Sequence, residues 1–386
     1  MALDLLPGHR LTLLRNGAEF FPALQQSIRE ASREIHLESY IFADDSIGRM
    51  TCEALVDAAR RGVQVRILVD GYGSPEFEAS LRENLEAGGV MAMVYRPDKA
   101  RFSFRRHRLR RLHRKLALID ERIAFVGGIN IIDDRDDGRL PAPRLDFAVR
   151  IEGPLLAMIH RSMHRLWEIT AWAKFRRRVH DPRPCCDEPP ASGTQRAAFL
   201  LRDNLRHRRT IERAYLAAIL SARDEIVIAN AYFLPGRRFR QALIRAARRG
   251  VSISLLLQGR VEYRLQHYAT QALYGQLLDA GIRIFEYRRS FLHAKVAVVD
   301  DSWATVGSSN IDPFSLLLAK EANVVTSDKA FAVELRDSLT QAIREGASEL
   351  PSSHWKKQPW YWRLLCALSL ALVRLAVVVT GYGNRH

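Results

Sequence analysis

The sequence predicts an α/β protein built twice: two tandem α/β sandwich halves followed by a hydrophobic C-terminal helix. Three observations carry this. Similar segments recur in the same order along the chain. Each copy alternates short β-rich runs with stretches whose apolar residues recur at three and four. The 386 residues, 47% of them hydrophobic, suffice for about two domains with their own cores.

The first elements of each half begin Glu-Ile, at Glu34-Ile35 and Glu225-Ile226, and lead into Tyr/Phe-containing segments. Helical stretches follow over Ile47–Arg61 and Arg238–Arg249, and AARRGV closes both, at Ala58–Val63 and Ala246–Val251. Next come the apolar runs VQVRILVDG and VSISLLLQG. Gly89 through Arg96 then correspond to Gly281 through Arg288 at an offset of 192. The Pro-, Arg- and small-polar-rich segment between the copies reads as a linker or long surface loop. The expected organisation is a first half over 1–175, a linker over 176–196, a second half over 197–350 and a membrane-associating tail over 351–386.

A formal charge of +16, from 59 Lys+Arg against 43 Asp+Glu, excludes neither nucleic acid, nor an anionic bilayer, nor a phosphorylated substrate. It does argue for an anionic partner. Composition excludes a disordered tail protein and a small disulfide scaffold. Cys52, Cys185, Cys186 and Cys366 show no metal-type spacing, so no structural zinc and a reducing compartment are expected. The opening MALDLLPGHRLTLLRNG lacks the pattern of a secretory leader, and a mature chain starting near Met1 is expected.

Both halves carry H-x-K-x-x-x-x-D: His113, Lys115 and Asp120, then His293, Lys295 and Asp300. Seventeen residues beyond each His stands an Asn, Asn130 or Asn310. These eight residues are the catalytic and phosphate-binding candidates. The surroundings are β-branched and apolar, as in a buried strand, where His and Lys two apart share a face. The aspartates fall on the other face, where they are expected to act as structural partners. Two such half-sites facing each other across a pseudo-twofold axis would supply two Lys and two Asn as donors to phosphoryl oxygens. One His could then attack phosphorus while the other protonates the leaving alkoxide and deprotonates the incoming alcohol or water. No metal or cofactor is called for. Each imidazole needs an acceptor on its second nitrogen, and Glu321, 28 residues after His293, and Asp146, 33 after His113, are the candidate orienting acids.

With these motifs the chain resembles the phospholipase D superfamily, and within it the bacterial cardiolipin synthase branch. Segments such as LHRKLALIDERIAFVGGIN, ANAYFLPGRRF and FLHAKVAVVDDSWATVGSSNIDPFSLLL carry the resemblance, which runs from about residue 10 to 340. It implies phosphatidyl transfer from one lipid to His and then to the hydroxyl of phosphatidylglycerol, making cardiolipin. Carried over, His113 and His293 match the catalytic histidines, Lys115, Lys295, Asn130 and Asn310 the phosphate binders, and Glu321 the orienting acid. His113 takes the nucleophile's place and His293 the acid/base's. Ala319 departs from the branch, which usually carries Asn two residues before the Glu. Hydrolysis to phosphatidate and a nuclease of the same chemistry remain alternatives.

Aligned on Arg96 and Arg288, the first half carries about twelve extra residues before its His, including Arg101, Arg105, Arg106, Arg108, Arg110 and Arg111. This insert is expected at the rim of the site, holding the protein to anionic lipid at ~1 kcal/mol per basic residue, with Phe102 and Phe104 beside it. In the tail, Lys356, Lys357, Trp360, Tyr361 and Trp362 form an interface-type cluster. Arg363 and Arg374, eleven residues apart, fall within about 20° on a helix. A full span would bury Arg374 in hydrocarbon at roughly 2.5–3.5 kcal/mol. An interfacial or re-entrant helix is therefore expected, ahead of a tilted span or a buried helix. The expected setting is the cytoplasmic face of a bacterial cell membrane. The expected partners are phosphatidylglycerol and cardiolipin, with phosphatidylethanolamine as a further donor, and not nucleic acid.

Overall fold

The first half in the computed structural model runs β1 (Leu6–Arg15), α1 (Asn16–Glu30), β2 (Glu34–Ser39), α2 (Ser46–Arg60), β3 (Gln64–Asp70), α3 (Arg82–Ala87), β4 (Met91–Tyr95), β5 (Arg111–Leu112), β6 (Lys115–Ile119), β7 (Ile123–Gly127), β8 (Phe147–Glu152) and α4 (Leu155–Ala173). The second runs β9 (Gln195–Arg202), α5 (Thr210–Ser221), β10 (Glu225–Asn230), α6 (Arg237–Arg248), β11 (Ser252–Gln258), α7 (Arg264–Gln271), α8 (Tyr274–Leu278), β12 (Arg283–Tyr287), β13 (Lys295–Val299), β14 (Trp303–Gly307), β15 (Ala319–Thr326) and α9 (Lys329–Gly346). β16 (Ala347–Glu349), α10 (His354–Lys357) and α11 (Trp360–Val379) end the chain. The structure describes residues 3–97, 111–135, 138, 140–173, 189–203, 207–312 and 319–379. The insert from Arg101 to Arg110 with Phe102 and Phe104, most of the linker, and Cys185 and Cys186 lie outside the described residues.

The strand order reads β4-β3-β2-β6-β7-β8-β1, then β9-β15-β14-β13-β10-β11-β12-β16. Around the β1–β9 seam the two lists mirror each other, as the repeat predicts. The seam is short and irregular, pairing Leu6 with Ala197 and His9 with Gln195. There the sheet folds back on itself, so that β7 and β8 lie against β14 and β15. The core between the two faces takes Leu116, Val126 and Val149 from one half and Val296, Val306 and Val324 from the other. The outer faces are covered by α1 and α2 in the first half and by α5, α6 and α8 in the second.

Why AARRGV recurs is visible in the backbone. It is the last turn of α2 and α6, and the glycines after it, Gly62 at φ +90° and Gly250 at φ +94°, take the left-handed conformation that ends a helix cheaply. The observed helices start and stop one residue before the expected Ile47–Arg61 and Arg238–Arg249. The second half opens at Gln195, inside the expected linker, because the seam with β1 draws its first strand back by two residues.

Candidate active site between the halves

Each histidine stands just upstream of its strand, which opens at Lys115 or Lys295. These upstream residues leave their own sheet and pair with the other half. β5 runs parallel to β15 with Leu112 opposite Lys320, and Leu145 bridges in parallel to Leu292. The His113 N–H donates to Lys320 O at 3.0 Å, and the His293 N–H to Leu145 O at 2.9 Å. In both partners the next residue is an acid. His113 Nδ1 lies 3.0 Å from Glu321 Oε1, and His293 Nδ1 lies 2.6 Å from Asp146 Oδ2. Because a carboxylate only accepts, both Nδ1 atoms donate and both Nε2 atoms keep a lone pair. Spacing puts each acid downstream of its own half's histidine. The fold delivers it to the other half's ring.

The surroundings are tight and cationic. Glu321 is fully buried, and the Lys115 and Lys295 side chains are buried beside it. Lys115 Nζ donates to His113 O at 2.5 Å, and Lys295 Nζ bonds His293 O in the same way. Burial pushes Lys115 down to about 7 and Lys295 down to about 8, opposed in both by Glu321 and Asp146. Burial likewise lowers His113, while Glu321 pulls it back up. Burial, with Lys295 adding to it, brings His293 to about 3, so both rings are neutral near pH 7. Each ring also feels the lysine of the opposite half, which makes the two half-sites one electrostatic unit.

The two dyads are not equivalent. Ser308 Oγ donates to Glu321 Oε2 at 2.5 Å and accepts from Ala322 N at 3.1 Å. In the first half the same place in the sequence, GGIN against GSSN, holds Gly128. A Cβ there would come within 2.2 Å of Asp146 Oδ1, so glycine makes room for the shorter acid. Asp146 Oδ1 accepts instead from Phe147 N at 2.8 Å. Asn130 Oδ1 accepts from Ile41 N at 3.1 Å, while Asn310 is buried with no partner for its Oδ1 among the described residues.

Asp120 and Asp300, counted with the catalytic candidates through the motif, are corrected to structural residues. Five residues of strand, about 17 Å, separate each from its lysine. Asp120 accepts from the N–H groups of Ser32, Arg33 and Glu34 at 2.8–2.9 Å, and Asp300 from those of Arg223, Asp224 and Glu225 at 2.8–2.9 Å. Both adopt positive φ, 53° and 50°, which Asp tolerates. They pin the end of β6 to the start of β2, and the end of β13 to the start of β10. Asp120→Ala is expected to cost about 2 kcal/mol or more in urea unfolding, while turnover per folded molecule stays near wild type. These hydrogen bonds hold the Asp120 carboxyl below its ordinary range. Its contribution is therefore present above the unfolded pKa and lost as pH falls through the lowered one.

Three residues escaped the sequence reading. Ser308 was readable as one of the two serines that distinguish GSSN from GGIN. Tyr40 packs its ring at a tilt against His113, 4.7 Å between ring centroids, with Lys115 Nζ 5.2 Å from its ring centre. Arg202 sits opposite Glu321 in the β9–β15 register, 2% exposed, with Nη1 and Nη2 unpartnered among the described residues. Nothing in a single strand sequence announces either of the last two. Away from the site, Glu34, Glu121 and His160 bring ligand atoms within 4.8 Å of one another. Arg66 and Arg33 already pair with those two carboxylates, so the group does not present the net negative charge a cation needs.

A family described as "Cardiolipin synthase, PLD-like domain" matches residues 24–137 and 215–343. Cardiolipin synthase B of Escherichia coli K12 is 39% identical over 380 residues, covering 98% of this chain and 91% of the relative. Cardiolipin synthase A of Pseudomonas putida is 31% identical over 359 residues, covering 92% of this chain and 73% of the relative. Among solved structures, the phosphatidylserine synthase of Haemophilus influenzae superposes with a TM-score of 0.71 at 14% identity, covering 98% of this chain and 97% of that one. At that identity the likeness speaks for the fold alone.

Proposed function

Because the chain belongs to the family of cardiolipin synthases with a phospholipase D-like domain, we propose that it makes cardiolipin by phosphatidyl transfer to phosphatidylglycerol through a phosphohistidine. One observation carries the mechanism. Two imidazoles, each fixed at Nδ1 by an acid of the opposite half, offer Nε2 lone pairs beside two buried lysines.

In this reading His113 Nε2 attacks the donor's phosphorus. The phosphodiester anion offsets the ammonium charge that helps depress His293, and Asp146 stabilises the imidazolium that forms. His293 therefore takes up a proton as the donor binds and gives it to the departing alkoxide. Neutral once more, it accepts the proton of the acceptor's hydroxyl as that oxygen attacks phosphorus. Lys115 and Lys295, whose charges act on both rings, bind the phosphoryl oxygens together with Asn130 and Asn310, for which the motif is the support.

Incubation with labelled phosphatidylglycerol in detergent–lipid mixtures tests the reading. Cardiolipin plus glycerol is the expected result. Phosphatidate alone would move the assignment to a hydrolase, and absence of lipid turnover would overturn it.

The family's lipid substrates call for membrane association, and among the described residues one helix, α11, is long and apolar enough over Trp360–Val377 to cross a bilayer. We place it in the membrane plane at the cytoplasmic face. Cys366, Ser369, Val373 and Val377 form a buried stripe, and Trp362 packs edge-on against Tyr268 of α7 at 5.1 Å. Roughly opposite that stripe, at 100° per residue, Leu364, Leu368, Leu372 and Leu375 are 49–59% exposed. Arg363 and Arg374 lie along one flank, where an in-plane helix keeps them at the headgroups. Val261 and Tyr263, just before α7, and Leu265 in the first turn of that helix, which packs against α11, are also exposed and add to this apolar surface. Replacing Leu364, Leu368 and Leu372 together by Glu removes about 1 kcal/mol of insertion per side chain. It is expected to weaken sedimentation with phosphatidylglycerol vesicles by about a hundredfold.

A further inference from the structure

Beside the segment that carries His293 the second half opens a cavity lined by Tyr232, Gln258, Arg260, Glu262 and Tyr263. Its walls are bonded to both neighbours of the catalytic residue. Gln258 Oε1 accepts from Leu292 N at 3.1 Å, and Ala231 N donates to Ala294 O at 3.0 Å. The polar part of the lining is incompletely satisfied. Gln258 Nε2 and Arg260 Nη1 are buried donors with no partner among the described residues, whereas Glu262 Oε2 accepts from Tyr232 Oη at 2.6 Å. Two orphaned donors beside a carboxylate form a site for a group that both donates and accepts hydrogen bonds.

At the corresponding place in the first half the described residues satisfy one another. There Asp70 takes the position of Gln258, with Oδ2 accepting from Leu112 N at 2.8 Å and Oδ1 from Tyr72 N at 2.9 Å and Gly73 N at 3.2 Å. Arg111 lies over the Tyr72 ring at 4.7 Å. The asymmetry matters because an alcohol leaves and enters phosphorus on the side away from the attacking nitrogen. With His113 as nucleophile, that side belongs to His293.

Resting on the function proposed above, we infer that this cavity holds the vicinal diol of a glycerol headgroup, first the one leaving the donor and then the one arriving on the acceptor. Glu262 accepts from one hydroxyl, and Gln258 and Arg260 donate to the diol oxygens. The remaining hydroxyl faces His293 Nε2. In the second displacement its oxygen forms the new P–O bond, its proton passes to His293 Nε2, and the P–N bond breaks with its electron pair returning to His113 Nε2. Tyr263, which lines the cavity and is exposed, belongs to the apolar surface proposed to meet the bilayer, which brings the cavity near the lipid that must enter it.

The test separates acceptor choice from the rest of turnover. A phosphatidyl ester of 4-nitrophenol, whose leaving group carries no diol, loads the enzyme, and the phosphatidyl group is partitioned between equimolar propane-1,2-diol and propan-1-ol. The wild type is expected to favour the diol at least tenfold, and Glu262→Gln and Tyr232→Phe to bring the product ratio within about twofold of unity. Tyr232→Phe, which removes one oxygen and keeps the ring, carries the measurement should Glu262→Gln not fold. An unselective wild type, a preference for ethanolamine over the diol, or a diol preference that survives both substitutions would each overturn the assignment. A wild type that makes no cardiolipin from phosphatidylglycerol would instead sink the functional reading beneath it.

Discussion

Loss of either ring is expected to lower cardiolipin formation by about 10⁴-fold or more, and the two variants should stop at different points. His113→Ala has no atom to receive the phosphatidyl group. Neither an adduct nor a burst is then expected, even with a 4-nitrophenyl leaving group that needs no proton. His293→Ala keeps the nucleophile and its Glu321 partner. With the same activated donor it is expected to release one equivalent of nitrophenolate per site and then stall, because nothing removes the proton from the incoming hydroxyl. Mass spectrometry of the stalled protein should place the phosphatidyl group on His113. An adduct on His293 in His113→Ala would exchange the two roles, and with them the cavity's assignment to the alcohol side.

The second large effect comes from the crossed acids. Glu321→Gln and Asp146→Asn keep shape but remove the charge that fixes tautomer and supports the imidazolium, a change worth about 10²–10⁴-fold in comparable dyads. If geometry rather than sequence order governs, Glu321→Gln should chiefly slow the nitrophenolate burst, the step of a histidine 208 residues away. Asp146→Asn should chiefly slow breakdown of the adduct, the step of a histidine 147 residues away. Stopped-flow separation of burst and steady-state rates checks this. An Asp146→Asn enzyme with a crippled burst and normal breakdown would refute the crossed assignment.

Most of the architecture could be read before folding because it is local. AARRGV ends a helix, period-two apolar runs make strands, and a duplicated motif makes two halves. The members of the site could be listed for the same reason. Their pairing could not. Glu321 reaches His113 through β5 pairing with β15, a two-residue strand with no periodicity of its own, and Asp146 reaches His293 through a single bridge at Leu145 and Leu292. Asp120 and Asp300 illustrate the opposite case. Their side of the strand was legible, but membership in the motif drew them toward chemistry, whereas the structure uses them to hold backbone. The cavity in the second half depends on residues just after β10, at the end of β11 and leading into α7, which only the parallel pairing of β10 with β11 brings side by side.

The exchange of acids between the halves also bears on descent. A single half carries a histidine without its acid, but two identical copies in a symmetric dimer would complete each other. Such a dimer is a workable ancestor in which every change falls on both sites at once. Joining the copies in one reading frame releases that constraint, and Gly128 with Asp146 against Ser308 with Glu321 shows two equivalent positions free to differ. The pairing could not be lost afterwards without losing both sites together. The crossing thus makes each half depend on the other for its chemistry, as two copies of one chain would in a symmetric dimer.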